Sequence, residues 1–206
     1  TLAGEVIERL TGQTWEEAIA TRLFAPLGME HSNTSLDQLF LQDDIAAPHA
    51  MVEGEVHSIA FNEFPAVTPA MGINSNITDL MKWVQLQLDG NVALISRETQ
   101  REMQKIQAPI AMTAMVPDGR SYHGYGLGWF VENYRGFEVI SHDGIVDGFT
   151  SQVALIPCKN IGIAILTNSS SDGHYAIASL RNSVFDALLD LSEIDWESRL
   201  QDMRTS

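Results

Sequence analysis

Cysteine is nearly missing: Cys158 is the one residue of its kind among 206. A single thiol closes no internal disulfide and builds no cysteine metal cluster. Basic side chains are scarce as well. Twelve Lys and Arg stand against 27 Asp and Glu, a formal net charge of −15, which repels a phosphate backbone and finds no footing on an anionic membrane. Nucleic acid is therefore excluded as a partner. The acidity reads as a solvated surface and identifies no substrate charge. No run of about 18 apolar residues offers a membrane helix, and Thr1-Leu2-Ala3-Gly4-Glu5 lacks the charged and apolar regions of a signal peptide. With no initiator Met and a helical pattern already running at Leu2, the chain is expected to have been cut from something longer.

Metal and nucleotide signatures are missing too. His31, His49, His57, His123 and His174 form no His-Glu-x-x-His or other compact ligand pattern, so no metal and no cofactor are assigned. No Gly-x-Ser-x-Gly elbow occurs, and Gly124, Gly126 and Gly128 precede no helix, which argues against a phosphate loop.

What is present is a globular chain, 45% hydrophobic, sized for one core. Leu2, Val6, Ile7 and Leu10 recur at helical spacing up to Gly12, and Thr14 with Glu17 makes a capping box for a second helix that ends at Pro26 and Gly28. Residues 29–75 lose periodicity and read as a long loop of the lid or binding type. Helices return after the capping candidates Asn76 and Thr78 (Ile77, Leu80, Met81, Val84, Leu88) and from Ser96 to about Ile106. From Tyr125 the period becomes two, with Tyr125, Leu127 and Trp129 alternating against Gly126, Gly128 and Phe130. Short apolar runs follow at 137–141, 149–156 and 161–167. The connectors Arg135-Gly136 and Pro157-Cys158-Lys159-Asn160 suit hairpins, so the strands form an antiparallel meander. Ile161-Gly162-Ile163-Ala164-Ile165-Leu166 is apolar throughout and is expected to be covered on both faces, one cover being a helix over 174–191. The fold class is α+β. A mostly helical portion spans 1–120, an antiparallel sheet with a C-terminal helix spans 121–195, and 196–206 reads as a polar, frayed tail.

The segment from Ser141 through His142-Asp143-Gly144-Ile145 to Phe149 sets two glycines and three ionisable groups into an apolar strand region. Such a strand can lay a substrate along its edge, with backbone N–H groups steadying an oxyanion and His142 adding a hydrogen bond or charge. A turn or bulge is the structural alternative. Trp129 and Phe130 read either as a pocket floor or as core.

Five segments in order resemble the serine β-lactamase-like hydrolases, a family that includes class C β-lactamases, penicillin-binding proteins, D-amino-acid peptidases and esterases. They are Leu2–Gly12 with Pro26-Leu27-Gly28-Met29; Pro69-Ala70-Met71-Gly72 with Asp79 and Trp83; Tyr125-Gly126-Leu127-Gly128-Trp129; His142-Asp143-Gly144 with Gly148-Phe149; and Leu166-Thr167-Asn168. The resemblance implies a β-lactamase/transpeptidase-like fold, an antiparallel sheet flanked by helices with part of a helical subdomain, incomplete without N-terminal elements. It implies acyl transfer on a small-molecule or peptide-like amide, β-lactam or ester. By position, His142 is the third-motif residue, Gly144 keeps the strand edge open, the Ile145 backbone N–H is one of two oxyanion donors, and Asp143 binds substrate.

Ile145 is bulkier than the family's usual residue and is expected to narrow the pocket. Met71 likewise stands where the family has a Gly. Lys82, Lys105 and Lys159 are each preceded at three residues by a non-serine, and no Tyr-x-Asn or Ser-x-Asn occurs, so this chain lacks the nucleophile and is expected to be inactive alone. The alternative is a binding or assembly fragment, a pseudoenzyme. An uncompleted sheet implies self-association or pairing with a missing N-terminal portion, and the resemblance points to the periplasm or to secretion.

Overall fold

A computed structural model describes residues 1–90, 93–110, 120–170 and 173–204. The first helix, α1 (Leu2–Thr11), stops where Gly12 turns to a left-handed φ of 68° and returns its N–H to the Glu8 carbonyl. The capping box forms as expected: Thr14 accepts from the Glu17 amide while the Glu17 carboxylate accepts from the Thr14 amide. It opens α2 (Trp15–Ile19), which continues through a π-helical turn, Ala20–Phe24, into α3 (Ala25–Leu27) and ends at Gly28.

Residues 29–75 are more regular than their lack of periodicity predicts. They hold α4 (Leu36–Leu39), a hairpin of β1 (His49–Val52) and β2 (Glu55–Ser58), and α5 (Thr68–Met71). The elements have four residues each, too short to display a period, and β2 is exposed along its whole length. Long-range backbone bonds hold the segment in place. Asn33 and Asn74 exchange hydrogen bonds of 3.0 and 2.9 Å, and His49 donates to Gly148 and accepts from Ser170. Two further helices, α6 (Ile77–Asp89) and α7 (Arg97–Gln104), are capped by Asn76, rather than by the other candidate Thr78, and by Ser96. Asp79 is wholly buried at the head of α6. Burial pushes its carboxyl up, but bonds from Lys82, the His31 amide and Ser32 outweigh this and hold it below the usual carboxylate value.

The sheet is a meander of six strands, each antiparallel to the next: β3 (Ala108–Pro109), β4 (Arg120–Tyr125), β5 (Phe130–Tyr134), β6 (Phe137–Val146), β7 (Phe149–Ile156) and β8 (Ile161–Thr167). One detail differs from the expected strand at Tyr125–Phe130. Tyr125 pairs with Phe130 across a hairpin turn in which the Gly126 amide bonds the Trp129 carbonyl and Gly128 takes a φ of 82°. Alternation there reflects a turn that exposes Leu127 and buries Trp129.

Two apolar layers sandwich the sheet. On one face Val84 of α6 packs with Trp129, Val131, Ile140 and Leu155. On the other, Phe185 of α8 (Gly173–Leu188) and Trp196 of α9 (Trp196–Arg204) pack with Tyr134, Val139, Ala154 and Ile156. The apolar strand β8 is covered on both sides as expected: Ala164 joins the first layer, Ile161 and Ile163 the second. Among the described residues no helix is long and apolar enough to cross a membrane.

The chain end departs from the frayed tail expected for 196–206, of which 205 and 206 lie outside the described residues. Trp196 and Leu200, four apart and so on one helical face, are 2% and 4% exposed. The Trp196 indole N–H donates to Asp186 at 2.8 Å, as does the Tyr134 hydroxyl at 2.6 Å. These two large side chains anchor a helix in which Glu197, Ser198, Arg199, Gln201 and Asp202 are polar. Replacing Trp196 by Ala is expected to cost about 3–5 kcal/mol in urea unfolding, as for other buried aromatic truncations; a frayed tail would show no change.

Candidate active site

The strand β6 carries all four residues singled out from the sequence, and it is neither bulged nor turned there. Its register against β7 runs unbroken from Ile140↔Leu155 through His142↔Val153, Asp143↔Gln152 and Gly144↔Ser151 to Val146↔Phe149. The chain reverses only afterwards, at Asp147-Gly148. On the other side β5 begins at Phe130, which pairs with Ser141. From His142 to Val146, therefore, no described strand pairs with this edge, and an N–H donor at Ile145 requires such an edge.

Strand alternation divides the four residues between the two faces. Ile140 lies in the α6-side core and Val139 in the α8-side core. His142 and Gly144 thus follow Ile140, whereas Asp143 and Ile145 follow Val139. Sequence proximity had suggested a shared site for His142 and Asp143. Instead the Asp143 carboxylate accepts a hydrogen bond from the buried Gln152 amide on the opposite face, and the Asp143 carbonyl is the part that meets the imidazole. Ile145 is exposed and also points away from the His142 face, so its bulk does not narrow the site there as expected. Met71 is exposed as well.

Gly144 has a packing reason beyond an open edge. A Cβ there would stand 2.5 Å from the Oγ of Ser151 on the neighbouring strand.

The imidazole of His142 is exposed but engaged at both nitrogens. Nε2 lies 2.9 Å from the Tyr125 hydroxyl and Nδ1 2.7 Å from the Asp143 carbonyl oxygen. The Phe130 ring sits 5.7 Å from it, and Tyr125 and Phe130 meet edge to face at 4.8 Å. Burial pushes the Tyr125 phenol up from its ordinary value, keeping it protonated at neutral pH. Sequence reasoning missed Tyr125 because Tyr125–Trp129 alternates like a strand. Only the turn brings the phenol back beside β6. Of the two aromatics offered as a pocket floor, Phe130 contacts His142, while Trp129 is core, stacked on Trp83 at 6.4 Å. Among the described residues no three His, Cys, Asp or Glu gather to hold a metal.

With this geometry in hand, known proteins provide the context. The family model described as Beta-lactamase matches residues 1–184. The chain is 23% identical to Unguisins hydrolase ungD of Aspergillus violaceofuscus (strain CBS 115571) over 98% of its own length and 39% of that protein. It is 28% identical to Penicillin-binding protein 4 of Amycolatopsis lactamdurans over 81% and 45%. Among solved structures, the octameric penicillin-binding protein homologue from Pyrococcus abyssi superposes with a TM-score of 0.80 at 26% identity, covering 93% of this chain and 41% of that one. The D-amino acid amidase from Ochrobactrum anthropi SV3, complexed with L-phenylalanine, gives 0.68 at 20% identity, covering 98% and 55%; at that identity it speaks to the fold alone. The chain spans less than half the length of these curated relatives.

The contact beneath Gly144 can be tested by a double-mutant cycle. Gly144→Ala is expected to destabilise by roughly 1 kcal/mol, because a serine hydroxyl can swing aside at modest cost. Combining it with Ser151→Ala should restore most of the loss in urea unfolding, since the Ser151 Cβ would be 3.9 Å from the new methyl group. Strict additivity would contradict the assignment.

Proposed function

The chain belongs to the beta-lactamase family, and on that premise we propose that the whole protein is a serine hydrolase that transfers an acyl group from an amide, a β-lactam or an ester through an acyl-enzyme. The observation that carries the proposal is the edge of β6 beside His142 and Gly144, which no strand pairs among the described residues. Relatives named as a hydrolase and a penicillin-binding protein support the same reaction class.

In this reading the attacking serine hydroxyl lies in polypeptide outside this chain, whose three lysines all lack a serine three residues earlier. The serine oxygen bonds to the substrate carbonyl carbon, and the carbonyl oxygen becomes an oxyanion. The Ile145 N–H and the serine's own N–H donate to it. Collapse expels the leaving amine or alcohol with a proton and leaves the ester, which water then hydrolyses. His142 forms a wall of the site and hydrogen-bonds within it, and Gly144 lets the substrate lie close to the strand. Asp143, expected to bind substrate, accepts a hydrogen bond from Gln152 on the neighbouring strand.

Assembly belongs to the same reading. The outer edge of β8 has no partner strand among the described residues, and Leu2, Val6 and Leu10 form an exposed apolar stripe on α1. The Pyrococcus homologue is an octamer. A labelled penicillin or reactive-serine probe is expected to mark a longer form of the protein that carries a Ser-x-x-Lys motif and to leave the 206-residue chain unmarked. Light scattering of the latter is expected to give a mass above one copy. Labelling of the chain by itself would overturn the assignment of the nucleophile.

A further inference from the structure

The two hydrogen bonds of His142 constrain one another. A carbonyl oxygen only accepts, so Nδ1, 2.7 Å from the Asp143 oxygen, carries a proton. The neutral Nε2–H form of the ring is thereby excluded, since it would set two acceptors face to face. Two forms remain. In the neutral Nδ1–H ring, Nε2 accepts and the Tyr125 hydroxyl donates; in the cation, Nε2–H donates and the same hydroxyl accepts. A hydroxyl turns to serve both, which an amide N–H or a carbonyl could not.

We infer that Tyr125 is a positioning residue for the site: its hydroxyl satisfies His142 Nε2 in both protonation states and so holds the imidazole in one orientation with Nδ1 protonated. The inference rests on reading His142 as a wall of the acyl-transfer site, but its geometry stands apart from that reading. Two features support it. Tyr125 is fixed by its pairing with Phe130 at the mouth of the hairpin and by the ring contact between them. The exposed imidazole also has aromatic neighbours, with Tyr125 at 6.0 Å and Phe130 at 5.7 Å between ring centres. A ring anchored at both nitrogens loses less freedom when substrate arrives, the usual advantage of a preorganised site.

The test is the tautomer of His142, read from the ring nitrogen shifts of the uniformly ¹⁵N-labelled 206-residue chain with the ring neutral. The wild-type chain is expected to show the Nδ1–H form. Tyr125→Phe keeps the aromatic contacts, removes the hydroxyl, and is expected to yield a mixture with a substantial Nε2–H fraction. An Nε2–H tautomer in the wild type, or a Tyr125→Phe spectrum identical to it, would overturn the inference. The wild-type spectrum decides the first point even if the variant folds poorly. In a probe-reactive longer form, Tyr125→Phe should lower kcat with KM little changed. An Nδ1–H tautomer in a protein that never reacts with the probe would leave the positioning pair standing and remove the proposed hydrolase.

Discussion

The ladder between β6 and β7 is the constraint on which the rest of the molecule depends. Its pairs from Ile140↔Leu155 to Val146↔Phe149 tie core at one end to the candidate site at the other. Ile140 and Leu155 are buried in the α6-side layer, and two residues further along the same face stands His142. Because side chains alternate with a period of two, a slip of one residue would carry the imidazole to the α8 side and put Asp143 in its place. The core at Ile140 and Val139 forbids that slip, since each fits only its own layer. Site geometry is thus inherited from hydrophobic registry.

Polar burial strengthens the same register from beneath. Ser141, immediately before His142, donates to Glu132 at 2.6 Å, and Glu132 faces Arg181 of α8 at 3.5 Å, with all three side chains or their residues excluded from solvent. Such a pair contributes less net stability than its charges suggest, because both ions lose their hydration. It does discriminate between registers: only one alignment of β5, β6 and α8 brings the carboxylate to both the hydroxyl and the guanidinium. Gln152 acts similarly two pairs further along, binding Asp143 across the strands.

Much of this was legible in the sequence, and the unreadable parts share a cause. Thr14 with Glu17, Asn76 and Ser96 announce their helices because capping is local chemistry. The apolar runs around Ile140, Leu155 and Ile163 announce a meander. The motif around His142 is visible because glycines and ionisable groups interrupt an apolar run. By contrast, the face that Asp143 occupies depends on register, which no local pattern reveals. Tyr125 joins the site only through a turn whose alternation imitates a strand. The last helix is anchored through Trp196 and Leu200, buried side chains in a mostly polar stretch that gains its stability from a distant core. Residues 29–75 are held by bonds to Gly148, Asn168 and Ser170, more than a hundred positions away for Asn168 with Ala47, and so show no period of their own.

The central claim is that the unpaired edge of β6 serves an acyl-transfer site. The most direct measurement is a crystal structure of a longer, serine-containing form of the protein trapped as its acyl-enzyme. The account predicts the acyl carbonyl oxygen about 2.7–3.1 Å from the Ile145 amide nitrogen, on the edge of β6 that His142 borders. An acyl group bound elsewhere, with that edge untouched, would contradict it.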